Sequence, residues 1–177
     1  MAEFARRAAL VFLSGGAAMA DTPGFYDFTL PALEGGSLPL AAWRGRPVLV
    51  VNTASFCGYT PQYEGLQALA DRFAGQGLVV LGVPSNDFNQ ESAEAEKVRA
   101  FCDTQFGITF PLAAISQVRG AGAVPLFRWL AERGGGPPRW NFHKYLVGRD
   151  GMTVQGFVTA VEPESAMLLG AVRTAVA

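Results

Sequence analysis

Two cysteines and one histidine are all the thiols and imidazoles in this chain of 177 residues. A zinc site of the usual Cys/His kind would need more, so no metal is expected, and any cysteine chemistry is redox or nucleophilic. Charge is scarce as well: 16% of the residues are charged, against roughly 25% in an average soluble domain. The 14 basic and 15 acidic residues nearly cancel to a net charge of -1. Without a broadly basic surface, nucleic acid is not an expected partner. Internal repeats and long linkers are also missing. No apolar run approaches the roughly 20 residues that span a bilayer, so no membrane anchor is expected. What the chain has in quantity is apolar mass, 50% of its residues, with 13 Phe, 4 Tyr and 3 Trp. That suffices for one sizeable core and speaks against disorder.

At the start, Arg6 and Arg7 precede an apolar stretch from Ala8 to Leu13, then small residues and Ala18-Met19-Ala20. A basic start, a short apolar middle and an A-x-A site read as a signal peptide over residues 1–20, leaving one domain over 21–177. The expected location is periplasmic or secreted. The arginine pair also fits a twin-arginine route, and the competing reading is a frayed helix of a cytosolic protein.

Pro47-Val48-Leu49-Val50-Val51-Asn52 is a continuous β-branched run of the kind buried on both faces of a parallel sheet. Tyr63, Leu66, Ala70 and Phe73 recur at helical spacing, Gly75-Gln76-Gly77 stops that helix, and Leu78 to Val83 is a second buried strand. These three segments make a βαβ unit. A second helix is expected over Glu91 to Phe106, ended by Gly107, and a third over Val124 to Ala131. Tyr145 to Val147 and Met152 to Val158 flank an Asp-Gly turn as a hairpin, and Pro163 opens a last helix to about Val176. This order suggests a thioredoxin-like α/β fold, a central mixed β-sheet flanked by helices.

Cys57 follows the first of these strands and directly precedes the first helix. Unpaired N–H groups and the positive end of the helix dipole favour a thiolate there, and the thiolate is the nucleophile. The spacing is C-x-x-T, so no second thiol is at hand locally. The plainer reading is a buried structural cysteine.

Three blocks extend this picture. Asn52-Thr53-Ala54-Ser55-Phe56-Cys57-Gly58-Tyr59-Thr60 resembles the N-[VT]-A-S-x-C-G-x-T block of the glutathione peroxidase family. Leu81 to Phe88, followed by Gln90-Glu91, is similar to the family's L-G-x-P-x-N-Q-F block, and Trp140-Asn141-Phe142-x-Lys144-Tyr145-Leu146-Val147 is similar to its W-N-F-x-K-[FY]-L-V block. The resemblance covers roughly Gly24 to Pro163. It implies a thiol peroxidase in which Cys57 attacks hydrogen peroxide or an organic or lipid hydroperoxide and becomes a sulfenic acid. Trp140 and Asn141 would line the site and donate their N–H groups. Read without the family, the same pair is a core aromatic beside a turn residue.

Phe101-Cys102-x-x-x-Phe106-Gly107-Ile108-Thr109-Phe110-Pro111 resembles the block of the thioredoxin-dependent, two-cysteine members. It implies that Cys102 resolves the sulfenic acid as a Cys57-Cys102 disulfide, which a thioredoxin-like or other thiol reductant then opens. The alternative for Cys102 is a packed, apolar helix position. No cofactor is implied. The short stretch before Trp140, lacking the insertion of tetrameric members, implies a monomer or weak dimer, and His143 is expected to be exposed or hydrogen-bonded without a catalytic role. Two departures matter: the family's Gln is Asp87 here, and the family's Arg-Tyr pair is missing from Gly156 to Val161. Asp87 is expected in the site, either protonated as a donor to the sulfur, which is the favoured reading, or turned toward a cation or backbone N–H. If Asp87 spoils the site, the chain becomes a redox-inert or peroxide-sensing binding protein on the same fold.

Overall fold

The structure is a computed structural model that describes residues 22–177; the expected leader over 1–20 lies outside the described residues. The chain enters through a short antiparallel hairpin, β1 (Thr29–Pro31) and β2 (Ser37–Pro39). It continues through β3 (Val48–Thr53), α1 (Gln62–Phe73), β4 (Val79–Pro84), α2 (Ala95–Phe106), α3 (Pro125–Arg133), β5 (Lys144–Val147), β6 (Val154–Phe157) and α4 (Ala166–Val176). The main sheet has the order β4-β3-β5-β6. β3 and β4 are parallel, whereas β5 runs antiparallel to β3 and β6 antiparallel to β5. The βαβ unit, the mixed sheet and the closing hairpin expected from the sequence are all present.

Because side chains alternate along a strand, the apolar runs of β3 and β4 feed two cores. Leu49, Val51 and Val80 point with Leu146 and Phe157 into a core covered by Leu66, Leu69 and Phe73 of α1, Val98 and Cys102 of α2, and Leu168, Val172 and Val176 of α4. Val48, Val50, Leu81 and Val83 point the other way, against Leu126, Phe127, Trp129 and Leu130 of α3 and Phe25 and Tyr26 of the entering segment. Each fully buried Val, Leu or Phe contributes about 1.5–3 kcal/mol, so the sheet is held from both sides. Gly82 is required by a close approach: a Cβ there would meet Leu112 Cδ2 at 2.5 Å, where Gly82 N–H donates to the Pro111 carbonyl at 3.0 Å.

Two helix starts differ from expectation. α2 begins at Ala95 rather than Glu91, because Glu91 N–H donates to Asn86 Oδ1 at 3.1 Å and Glu94 N–H to Ser92 Oγ at 3.1 Å. Side chains that bond the backbone locally in this way compete with helix formation. α4 begins at Ala166 rather than after Pro163, since Ser165 is its N-cap and accepts from Leu168 N–H at 3.3 Å.

Candidate active site

Strand direction decides what meets Cys57. β3 and β4 end side by side, with Thr53 opposite Pro84. Antiparallel β5 begins at that same edge, with Lys144 opposite Val51. The loops after β3 and β4 and the segment before β5 therefore converge at the carboxyl end of the central strand, where open α/β sheets place their ligands. Asn52 ties the third segment in, donating from Nδ2 to the Trp140 carbonyl at 3.1 Å and accepting Phe142 N–H at 2.6 Å. Phe142 adopts φ of 61°, a conformation L residues rarely take. Its buried ring, edge-on to Tyr63 at 5.4 Å between centroids, holds it there.

Cys57 sits in the turn that leads into α1. Its N–H donates to Thr60 Oγ1 at 3.0 Å, and Thr60 Oγ1 in turn donates to the Ala54 carbonyl at 2.8 Å. The Tyr59 N–H donates to Cys57 Sγ at 3.4 Å, a backbone donor aimed at the sulfur that favours negative charge on it. The cysteine is 8% exposed, but its chain neighbours are open, Phe56 at 66% and Tyr59 at 39%, and Trp140, on the segment before β5, is 40% exposed. Phe56 leans on Phe101 at 6.2 Å and Trp140 on Phe88 at 5.2 Å between ring centroids.

Asn141 is fully buried, its carbonyl accepting from Thr159 Oγ1 at 2.7 Å and its Nδ2 donating to Gln90 Oε1 at 2.8 Å. Gln90 is the residue that sequence reasoning missed. Its carbonyl accepts from Phe56 N–H at 3.0 Å, which fixes it beside the residue preceding Cys57. The available signal was an amide three positions after Asp87, behind Asn89, which turns the loop at φ of 57°. Asparagine tolerates that conformation better than most residues.

Asp87 takes the less favoured of its two expected arrangements. Its Oδ2 accepts from Val118 N–H at 2.6 Å and from Arg119 N–H at 3.1 Å. The carboxylate is thus directed at backbone donors, and the reading of Asp87 as a protonated donor to the sulfur is corrected. Its neighbour Phe88 lies under the Arg119 guanidinium at 4.8 Å and supports Trp140. His143 also differs from expectation: it is buried, its ring lies 4.6 Å from that of Tyr145, and Nε2 has no hydrogen bond. Burial first, then the nearby Lys144 and Arg139 charges, push its pKa down to about 4, so it is neutral. Lys144 is fully buried and donates to the Phe142 carbonyl at 2.7 Å, and burial lowers its pKa to about 8.

Cys102 lies on the inner face of α2, fully buried. Its carbonyl accepts Ile108 N–H at 3.2 Å after the left-handed Gly107, a helix end that ties down the last turn. Both cysteines are free thiols.

A mixed four-stranded sheet with a cysteine leading into its first helix defines a thiol protein of thioredoxin-like fold. Solved structures agree: T. cruzi GPX1 superposes with a TM-score of 0.68 at 29% identity over 87% of this chain and 97% of its own. A thiol:disulfide interchange protein from Chlorobium tepidum TLS shares the fold at 18% identity, with a TM-score of 0.64 over 89% of this chain and all of its own. The family model for glutathione peroxidase matches residues 25–131. A Lactococcus lactis glutathione peroxidase is 39% identical over 79% of this chain and 92% of its own. A Synechocystis hydroperoxy fatty acid reductase is 41% identical over 78% of this chain and 89% of its own, and a Schizosaccharomyces pombe glutathione peroxidase-like peroxiredoxin is 39% identical over 79% and 92%. The chain belongs to the glutathione peroxidase family, and it is a thiol peroxidase.

Proposed function

We propose that Cys57 is the peroxidatic residue, and that Cys102 resolves its oxidised form. The Cys57 sulfur attacks one peroxide oxygen, the O–O bond breaks, and Cys57 becomes a sulfenic acid while water or an alcohol leaves. The Cys102 thiol then displaces hydroxide from that sulfur, giving a Cys57-Cys102 disulfide and water. A dithiol reductant of thioredoxin type, or another thiol, returns both residues to thiols. The observation that carries this reading is the placement of Cys57, at the end of the central strand with the Tyr59 N–H directed at its sulfur. Trp140 and Asn141 reach the same edge of the sheet and supply N–H donors for the departing oxygen. Gln90, in place of Asp87, holds the Asn141 amide in position. That arrangement supports reading the site as competent despite Asp87.

The exposed rings of Phe56, Tyr59 and Trp140 favour organic or lipid hydroperoxides beside hydrogen peroxide. The name of the Synechocystis relative points the same way. Export to the periplasm or medium with cleavage after Ala20, and a monomeric or weakly dimeric state, complete the proposal; intact mass and sedimentation test them. The deciding experiment for the chemistry is peptide mapping of the reduced protein after one equivalent of peroxide. A Cys57-Cys102 disulfide is expected. Two free thiols, or a sulfenic acid that persists at Cys57, would replace the two-cysteine mechanism with a one-cysteine one.

A further inference from the structure

The segment after β6, from which the family's Arg-Tyr pair is missing, is tied to the active site by other means. Thr159 is buried there, and its hydroxyl donates to the Asn141 carbonyl at 2.7 Å. Its own carbonyl accepts from Gln62 Nε2 at 2.9 Å and from Lys144 Nζ at 3.5 Å, and Lys144 Nζ also donates to the Phe142 carbonyl at 2.7 Å. The carbonyls of Asn141, Phe142 and Thr159 thus gather around one hydroxyl and one ammonium. Lys144 is fully buried, and among the described residues no carboxylate pairs with it; Glu162 accepts from Gln62 Nε2 at 3.1 Å instead. A buried ammonium is costly unless its donors are used, and here they are used on main-chain carbonyls. Gln62 opens α1, so the cluster also reaches the helix that follows Cys57.

What this cluster holds is the candidate donor. The Asn141 side chain makes one hydrogen bond among the described residues, from Nδ2 to Gln90 Oε1 at 2.8 Å, and its inaccessible Oδ1 has none. A side chain fastened at one point takes its direction from the main chain that carries it. That main chain is held from two sides. Asn52 of β3 donates to the Trp140 carbonyl and accepts Phe142 N–H, while Thr159 and Lys144 hold the carbonyls of Asn141 and Phe142. Phe142, at φ of 61°, persists in that conformation only when its surroundings hold it there. Resting on the reading above in which Asn141 serves the departing oxygen, we propose that Thr159 and Lys144 are positioning residues for peroxide reduction, clamping the Asn141-Phe142 main chain and so setting the direction of the Asn141 amide. Neither residue touches peroxide. A misplacement of about 1 Å costs about 10²-fold in rate where groups must be aligned, so the loss of one clamp bond is read in the peroxide step. The charge on Cys57 is served by the Tyr59 N–H and does not depend on the clamp.

The test compares two rates at Cys57 in the full chain: oxidation by hydrogen peroxide, and alkylation by iodoacetamide, which needs the thiolate but transfers no oxygen. Thr159→Val keeps the shape of the side chain and removes only the hydroxyl. It should slow oxidation by about tenfold, part of the loss that misplacement brings, and leave alkylation unchanged. Thr159→Ser, which retains the hydroxyl, should restore most of the oxidation rate. In an Asn141→Ala background, Thr159→Val should add nothing at the peroxide step, because the donor that it positions is already gone. Lys144→Met should slow the same step, and Thr159→Val carries the decision where Lys144→Met does not fold. Equal oxidation rates in wild type and Thr159→Val, with Asn141→Ala slow, would overturn the proposal and leave the role of Asn141 intact. A parallel fall of oxidation and alkylation, or a further loss on top of Asn141→Ala, would also overturn it by making Thr159 a general support of the fold. Equal oxidation rates in wild type and Asn141→Ala would overturn the proposal together with the reading on which it rests.

Discussion

Cys57 and Cys102 belong to the same core cluster, yet their surroundings are opposite in kind. Around Cys57 the polar partners belong to its own turn: the backbone Tyr59 N–H donates to its sulfur, and the Thr60 side-chain hydroxyl accepts the cysteine's own N–H. Both groups are fixed by the turn and need no titration. Around Cys102 the groups that act on its charge are side chains: Tyr63, which favours the thiolate, and at longer range Glu91, which opposes it, and Arg99, which favours it. One thiol is presented among exposed rings, and the other is stored under a helix with a raised pKa caused chiefly by burial. The difference teaches how one fold gives two sulfurs different tasks. On the proposed mechanism the attacking thiol is served by a backbone donor of its own turn, while burial keeps the second protonated and shields it from idle oxidation.

The comparison breaks most completely if the first thiol is dispensable. Cys57→Ser should abolish consumption of hydrogen peroxide and of an organic hydroperoxide, measured by peroxide loss. Normal turnover would move the chemistry to Cys102 and invert the roles. Next in size is Cys102→Ser, which should consume about one equivalent of peroxide, accumulate a trappable sulfenic acid at Cys57 and then stop with a thioredoxin-type reductant. The same variant reads the storage side of the comparison. A thiol whose folded pKa is raised gives stability that is present below its unfolded value and is lost as pH rises through the folded one. Denaturant unfolding of wild type should therefore weaken above the ordinary thiol range, about pH 8.5, and Cys102→Ser should flatten that decline. Tyr63, also raised by burial, adds a loss of the same sign at higher pH. A decline that persists unchanged in Cys102→Ser assigns it elsewhere.

A smaller effect separates the donors from the nucleophile. Asn141→Ala removes the amide that Gln90 orients and should lower the rate of Cys57 oxidation by about 10²-fold, as loss of one preorganised donor does elsewhere. Gln90→Leu should reproduce part of that loss, because it frees the amide without deleting it. Equal rates in wild type and Asn141→Ala would make Asn141 a loop anchor, held by Thr159, and leave Cys57 to its backbone donor alone.

What the sequence made legible follows the same division between backbone and side chain. The runs in β3 and β4 announce themselves because both faces of each strand are buried. Cys57 is legible because a strand, a turn and a helix follow one another without interruption. The hairpin of β1 and β2 escapes notice, being three residues a side with a proline ending each strand. Glu91 to Glu94 reads as helix because Glu and Ala are good helix formers. Local bonds from Asn86 and Ser92 withhold those residues from α2. The pocket around Cys102 is not legible at all. A glutamate near a helix start normally faces solvent, but Glu91 is buried, in a loop where the Gln90 carbonyl accepts Phe56 N–H and Asn86 Oδ1 accepts Glu91 N–H. Asp87 belongs to this group too, since the N–H donors that claim its carboxylate lie 31 and 32 residues further along.

Asp87 provides the smallest effect and the finest test of the claim that backbone donors alone prepare Cys57. An ionised carboxylate about 4 Å from a thiolate would oppose it by about 4 kcal/mol at an effective dielectric near 20. That corresponds to a displacement of about three pH units in the profile of Cys57 alkylation. With Oδ2 instead held by the Val118 and Arg119 N–H groups at 2.6 and 3.1 Å, the charge is directed into the backbone of another loop. Asp87→Asn should leave the alkylation profile superimposed on that of wild type. It should still lower the melting temperature by a few degrees, because a neutral amide oxygen accepts these two bonds less strongly, at a cost of about 1 kcal/mol. Asp87→Ala should lower it further, since both donors then lose their partner. A shift of the alkylation profile by one pH unit or more in Asp87→Asn would show that the carboxylate does reach the sulfur, and Cys57 would then share with Cys102 a side chain that governs its charge.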